Sequence, residues 1–311
     1  MTRDDFTVLS DNPAPELAEA VWYEGPDRRK LRAMFAPSLS RFGTPRGTII
    51  LCPGRTEFIE KYFEVARDMQ ARGFAVVAFD WPGQGLSQRD APDKLAGHVQ
   101  SFEIYVEALR LGLAALRPRL VEPFVLLAHS MGGAIGLEAL RTDVLDVEAA
   151  AFSAPLWGLK LPPLALTISR LLCFFGQGRC AVSAHKLDEL FEGNSVTGDE
   201  ARWKIQRALT QANPELSLGS VTWRWVVATA DVLRGFREPG ALDTLKCPIL
   251  VASGENESIV DNDAHTELTQ QLISAEHITI PGARHELMME TDERRQMFFA
   301  AFDRLLDRAN I

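Results

Sequence analysis

Short, largely apolar runs recur along this chain, separated by stretches in which apolar residues return at helical spacing. Thr48-Ile49-Ile50-Leu51, Phe74-Ala75-Val76-Val77-Ala78-Phe79, Phe124-Val125-Leu126-Leu127 and Ala149-Ala150-Ala151-Phe152 have strand length and no regular polar alternation. Such runs predict strands covered on both faces. Between them, Glu60 to Arg72 reads as an amphipathic helix closed by Gly73, a residue suited to a helix C-terminus. Phe102 to Leu116 predicts a second helix, stopped before Pro118, and Ala134 to Leu140 a third. From about residue 20 to 155 this alternation predicts a parallel sheet with helices on both faces. The rhythm resumes after Cys247, with strands over Ile249 to Ser253 and His277 to Ile280.

Residues 155–238 break the alternation. They carry helical stretches, no clear strand, and breakers at Pro155, Pro162, Pro163, Gly176, Gly178 and Gly193. The expected organisation is therefore a core in two parts, residues 1–154 and 239–311, interrupted by a helical lid or cap over 155–238. The alternative is that this segment only packs on the sheet edge. Leu161, Leu164, Ala165, Ile168, Leu171, Leu172 and Phe175 form a stripe at roughly helical spacing, an arrangement that usually faces a core.

Composition narrows the class. The chain has 311 residues, 46% hydrophobic and 24% charged, enough to bury a sizeable core. Its net charge of −9 argues against a nucleic-acid partner and against electrostatic docking on anionic membranes. Met1-Thr2-Arg3-Asp4-Asp5 does not open a secretory signal, and the longest apolar stretch, Leu161 to Phe175, is too short to span a bilayer. Cys52, Cys173, Cys180 and Cys247 show neither zinc spacing nor a disulfide framework. Cys173 and Cys180 could pair, but a reduced, cytoplasmic chain is the expectation, without a transmembrane segment and with at most transient membrane contact.

Candidate chemistry begins at Ala128-His129-Ser130-Met131-Gly132, set between a predicted strand and a predicted helix. A serine on a tight strand-to-helix turn with small residues two positions to either side matches a nucleophile elbow. Ala128, where glycine is usual, adds a methyl at the close approach. A serine hydroxyl needs a histidine to take its proton and an acid to orient that histidine. The loop after Ile249–Ser253 supplies Glu255, Glu257, Asp261 and Asp263, and Pro281-Gly282-Ala283-Arg284-His285-Glu286 supplies His285. Glu257 is the favoured acid, a few residues past the strand end and just before the apolar pair Ile259-Val260; Asp261 is the fallback. Serine, acid and histidine then follow in the order this geometry requires, from loops at strand carboxyl ends.

These residues resemble the lysophospholipase and monoacylglycerol lipase branch of the α/β-hydrolase superfamily, especially its lysophospholipase L2-like members. Cys52-Pro53-Gly54-Arg55-Thr56-Glu57 with Lys61-Tyr62 is similar to that branch's first catalytic loop, and Asp80-Trp81-Pro82-Gly83-Gln84-Gly85-Leu86-Ser87 to its Gly-x-Gly-x-Ser loop. Leu127 to Gly133 resembles its elbow, where alanine at the first position is familiar. Glu255-Asn256-Glu257 with Val260-Asp261-Asn262 is similar to its acid loop, and Ala283-Arg284-His285-Glu286 to its histidine loop.

The resemblance implies an α/β-hydrolase fold, a mostly parallel central sheet with helices on both faces and a helical lid insert. It implies Ser130 as nucleophile, His285 as general base and then acid, Glu257 as the orienting carboxylate, and the backbone N–H groups of Arg55 and Met131 as an oxyanion hole. Many family members have aspartate as the acid, and much of the family has histidine-glycine where Pro53-Gly54 stands. The Arg55 side chain could face solvent, pair with Glu57 or meet a substrate phosphate. No metal or organic cofactor is required. The implied substrate is a single-chain lipid ester, a lysophospholipid or monoacylglycerol, and part of the Leu161–Phe175 stripe could line an acyl pocket. A small-ester esterase or an aminopeptidase-like hydrolase on the same fold is the nearest alternative. A non-catalytic ligand-binding homologue is the alternative from another class.

Overall fold

The apolar runs lie side by side in one eight-stranded sheet. The computed structural model describes residues 5–311 apart from Ser40, Phe42, Lys186, Asp188 and Glu189; residues 1–4, on which the reading of the N-terminus partly rests, lie outside the described residues. The strands are β1 (Glu19–Glu24), β2 (Lys30–Ala36), β3 (Thr48–Cys52), β4 (Ala75–Phe79), β5 (Phe124–His129), β6 (Ala149–Ser153), β7 (Ile249–Gly254) and β8 (Ala275–Ile280). Their order is β1-β2-β4-β3-β5-β6-β7-β8. The pairs β1/β2 and β2/β4 are antiparallel, and every other pair is parallel. The two antiparallel strands each hold a four-residue apolar run, Ala20–Tyr23 and Ala33–Ala36, hemmed in by the charged Glu19, Glu24, Lys30 and Arg32, and neither is among the strands expected from the sequence.

The helices are α1 (Phe63–Ala71), α2 (Glu103–Leu116), α3 (Met131–Arg141), α4 (Ala165–Phe174), α5 (Glu200–Ala212), α6 (Trp223–Gly235), α7 (Asn262–Thr269) and α8 (Asp292–Arg308). Successive strand residues face opposite sides, which divides the interior into two cores. Ile50, Leu126, Ala150 and Phe152 join residues of α2, α3 and α6 on one face. Ile49, Leu51, Val125, Leu127 and Ala151 join α1 and α8 on the other. Each fully buried Leu, Ile or Phe contributes roughly 1.5–3 kcal/mol, so this double coverage is what holds the parallel strands. The helix expected to start at Glu60 begins instead as a 3₁₀ turn, Ile59–Tyr62, before α1. The Ile59 N–H is held by the Asp80 carboxylate at 3.0 Å, which fixes this turn below the sheet's carboxyl edge.

Residues 155–238 lie between β6 and β7 and hold α4, α5 and α6, with no sheet strand among the described residues. Helix α6 buries Trp225, Val226, Ala228 and Val232 in the first core, and α4 packs on α6. The α4 stripe is not core: Leu164 is 71% exposed, Phe174 83% and Phe175 70%, while Ile168 and Leu171 are about half exposed. Helix α4 forms an outer layer whose one fully covered residue is Ser169, and its opposite face is exposed among the described residues. The expectation that this stripe faces a core is thus corrected. All four cysteines are free; Cys52 is buried, and Cys173 and Cys180 do not pair. Among the described residues no helix is long and apolar enough to cross a membrane.

Candidate active site

Ser130 sits between β5 and α3 with φ = 49° and ψ = −118°. L-residues rarely adopt such a backbone, and holding it costs about 1–3 kcal/mol. The surroundings over-determine it. The Ser130 N–H donates to the Ser153 carbonyl at 3.1 Å, and its own carbonyl accepts from Gly133 and Leu156, each at 2.8 Å. The turn needs Gly132, because a Cβ there would lie 2.1 Å from the Cys52 carbonyl oxygen. Ala128 is accommodated on the other side. A Cβ added at Gly136 would be an ordinary 3.5 Å from its methyl, so the helix passes without a clash.

The histidine loop follows β8 and carries His285 to this serine. His285 Nε2 lies 2.9 Å from Ser130 Oγ, and Nδ1 lies 2.6 Å from Glu257 Oε2. The other Glu257 oxygen accepts from the backbone N–H of Ile259 at 2.6 Å and Val260 at 3.3 Å. Burial pushes the Glu257 pKa up, but hydrogen bonding and charge from His285, with those two amides, outweigh it and hold the carboxyl below its ordinary value. The neighbouring acids are engaged elsewhere. Asp261 caps α7 through the Asp263 N–H and pairs with Lys160 at 3.2 Å, and Glu255 accepts from the Gly282 N–H. Asp263 is exposed. The geometry thus brings Ser130, His285 and Glu257 together and leaves Asp261 apart.

The loop after β3 passes directly over the serine: a Cβ at Gly54 would lie 3.0 Å from Ser130 Cβ. The loop backbone thus lies against the start of α3, whose first amide, that of Met131, is one of the N–H groups a helix leaves without an internal partner. The Asp80–Ser87 loop braces it from below. Trp81 Nε1 donates to the Pro53 carbonyl at 2.8 Å, and Gln84 Nε2 donates to the carbonyls of Gly54 at 2.8 Å and Glu57 at 3.1 Å. Asp80 is itself clamped by Arg32, which also pairs with Glu60 at 2.8 Å, all three side chains being buried.

Beneath these loops lies a buried ionic network to which the sequence reading assigned no role. Glu57 accepts from Tyr62 Oη at 2.6 Å, from Lys61 Nζ at 2.8 Å and from the Gly54 N–H. Lys61 also bonds Glu286, the residue after His285. One ammonium serves two carboxylates. Burial opposes ionisation of Glu57, yet Lys61 and the hydrogen bonds from Lys61 and Tyr62 hold its pKa low; Glu286, buried and facing the charge of Glu57, is raised. His129 completes the layer, its ring centroid 4.8 Å from that of His285 and its Nδ1 2.9 Å from the Ser153 carbonyl oxygen. Burial lowers its pKa to about 4, so it is neutral. The Glu57/Lys61 spacing and the Glu286 position are visible in the chain. Their burial is not.

A cavity of about 580 Å³ opens beside the site, bounded by Arg55, Thr56 and Glu286 from the site loops and by Ser183, Trp203, Gln206 and Ser220 from residues 155–238. The Arg55 guanidinium lines it. This side chain does not pair with Glu57, whose oxygens are taken, and it is not spread into solvent; its Nη2 donates to the Gly219 carbonyl. Among the described residues no group of three or more His, Cys, Asp or Glu side chains is arranged to hold a metal.

Comparison with known proteins agrees with this architecture. Residues 43–292 match the family model described as serine aminopeptidase, S33. The chain is 31% identical over 290 residues to a probable lysophospholipase L2 of Haemophilus influenzae, covering 90% of each. It is 29% identical over 280 residues to lysophospholipase L2 of Escherichia coli strain K12, covering 84% of this chain and 81% of that one. Among solved structures, a soluble variant of the monoglyceride lipase of Saccharomyces cerevisiae superposes with a TM-score of 0.73 at 20% identity, over 94% of this chain and 97% of that one. A thermostable carboxyl esterase of Bacillus coagulans does so with a TM-score of 0.74 at 15% identity, over 94% and 99%. At these identities the structural likenesses speak to fold.

Proposed function

The chain belongs to the serine aminopeptidase S33 family of α/β hydrolases, and on that premise we propose that it hydrolyses the carboxylic ester of single-chain lipids through an acyl-enzyme at Ser130. The observation that carries this reading is the unbroken relay from Ser130 Oγ to His285 Nε2 at 2.9 Å and from His285 Nδ1 to Glu257 at 2.6 Å. In the proposed reaction Ser130 Oγ attacks the ester carbonyl while its proton passes to His285 Nε2. The amides of Arg55 and Met131 receive the developing oxyanion. Collapse expels the alcohol, which takes the proton from His285. Water then loses a proton to His285 and attacks the acyl-serine; collapse returns that proton to Ser130 and releases the fatty acid. Glu257 keeps Nδ1 as the protonated nitrogen throughout.

The lipid class is drawn from the relatives named as lysophospholipases and from the monoglyceride lipase among the structural neighbours. An aminopeptidase would need a carboxylate for the substrate's amine. The carboxylate that lines the cavity among the described residues, Glu286, is already tied to Lys61. Residues 155–238 are proposed as a lid, since they form one wall of the cavity whose other wall is the site loops. The exposed apolar face of α4 supports transient contact with a lipid surface. Ser130→Ala should lower ester hydrolysis by at least about a thousand-fold and abolish labelling by a fluorophosphonate probe, while the protein stays folded. Retained hydrolysis of a p-nitrophenyl ester by that variant would sink the mechanism.

A further inference from the structure

We propose that the Arg55 side chain is the head-group recognition residue of this site and that it binds a phosphodiester, so that the enzyme favours lysophospholipids over monoacylglycerols. This deepens the lipid-ester reading above and rests on it. Among the described residues Arg55 pairs with no carboxylate, its Nε is buried with no hydrogen-bond partner, and its one hydrogen bond is to the neutral Gly219 carbonyl. A guanidinium desolvated without an anion is costly, and a ligand anion meeting its Nη groups from the cavity is the natural partner for that charge. Burial without a counter-charge also lowers the Arg55 pKa to about 10, still well above neutrality, so the cation persists.

Its position is fixed before any ligand arrives. A Cβ added at Gly97 would lie 3.1 Å from Arg55 Nη2, so the backbone at Gly97 runs close against the guanidinium. The Trp225 ring centroid lies 5.6 Å from its central carbon, within cation–π range. Arg55 lines the 580 Å³ cavity, whose wall also holds the polar side chains of Ser183, Ser220, Gln206 and Thr210; the three hydroxyls bond within the protein and would turn to meet a phosphate oxygen. Scale fits as well. In a lysophospholipid the phosphorus lies one glycerol away from the scissile carbonyl, and an arginine side chain covers a similar roughly 6 Å from its own backbone amide, the proposed oxyanion donor. The same residue can therefore hold the ester oxygen with its backbone and the phosphate with its side chain. A monoacylglycerol offers only the first contact.

The test compares kcat/KM for a lysophosphatidylcholine and a monoacylglycerol of the same acyl chain in the native protein, Arg55→Gln and Arg55→Lys. The ratio of the two constants should fall at least tenfold in Arg55→Gln and recover in part in Arg55→Lys. Fluorophosphonate labelling checks that each variant is folded. In parallel, sn-glycero-3-phosphocholine should inhibit hydrolysis of a p-nitrophenyl ester by the native protein, more strongly than inorganic phosphate does, and lose that effect in Arg55→Gln. An unchanged substrate ratio, inhibition that survives in Arg55→Gln, or inorganic phosphate acting equally well overturns the proposal. If the native protein cleaves the p-nitrophenyl ester but neither lipid, the lipid reading fails, and the inhibition arm still decides whether Arg55 binds the phosphodiester.

Discussion

Glu257 reaches His285 through one carboxylate oxygen while two backbone amides hold the other, which sets it, of four nearby acids, within hydrogen-bond distance of the imidazole. Glu257→Gln can present an N–H to Nδ1 and so favour the wrong tautomer. It should cut kcat by about 10⁴-fold, judged from the equivalent change in a serine protease triad. Asp261→Asn should cost at most about 1 kcal/mol of stability through its helix cap and leave the turnover of esters nearly intact. Steady-state kinetics with thermal melts on both variants checks this, and the reverse pattern would reassign the acid. At this scale the turns that bring Ser130 and His285 together could be read from the chain because each has its own local signature. Glu57, Lys61 and Glu286 were not assigned, because a carboxylate held at depth looks in sequence like any solvated one.

Among the elements, α4 separates what periodicity shows from what it leaves open. The spacing of Leu164, Ile168, Leu171 and Phe175 does mark a helix, and Ala165–Phe174 is one. The same spacing suggested a buried stripe, and the face is exposed instead. A helical stripe states only that one side is apolar; what covers it depends on which layer the helix occupies. Contact with a lipid surface makes a concrete expectation. The double variant Leu171→Ser, Phe174→Ser should lose at least about tenfold in activity on esters presented in vesicles, since burying each such side chain supplies roughly 1.5–3 kcal/mol and about 1.4 kcal/mol is tenfold. Hydrolysis of a short, soluble ester should not change, and equal loss on both would point to damage of the site. The 3₁₀ turn at Ile59–Tyr62 tells a similar story: its residues fit a helix, and the Asp80 carboxylate across the chain redirects them.

For the molecule as a whole, buried neutral histidines set its response to acid. Burial lowers the pKa of His129 and of His265 to about 4, and His265 is further fixed by the Pro155 carbonyl at 2.6 Å and Ser253 Oγ at 2.7 Å. The unfolded chain binds protons at these residues below about pH 6.5, whereas the folded one binds them only near pH 4. Between those values the unfolded state carries more protons, so stability falls as pH falls, by up to ~1.4 kcal/mol per pH unit for each histidine. The melting temperature should therefore drop steadily from pH 6.5 to 4. His265→Asn should lower the melting temperature at neutral pH but flatten that slope; a slope unchanged in the variant would exclude His265 as a source.

Read by itself, the chain determined the alternation of buried strands and helices, the interruption over 155–238, the strained serine turn and the order in which serine, acid and histidine follow. These are local properties, carried by runs of apolar residues and by glycines at close approaches, and neighbouring residues suffice to state them. The antiparallel strands β1 and β2, the outward face of α4, the ionic layer of Glu57, Lys61 and Glu286, and an Arg55 with no carboxylate beside it among the described residues were decided only in three dimensions. Each depends on which distant segment lies opposite: Phe79 beside Ala33, Glu286 beside Lys61, Gly219 beside Arg55. Burial and charge pairing are properties of such meetings, and no single stretch of sequence contains them.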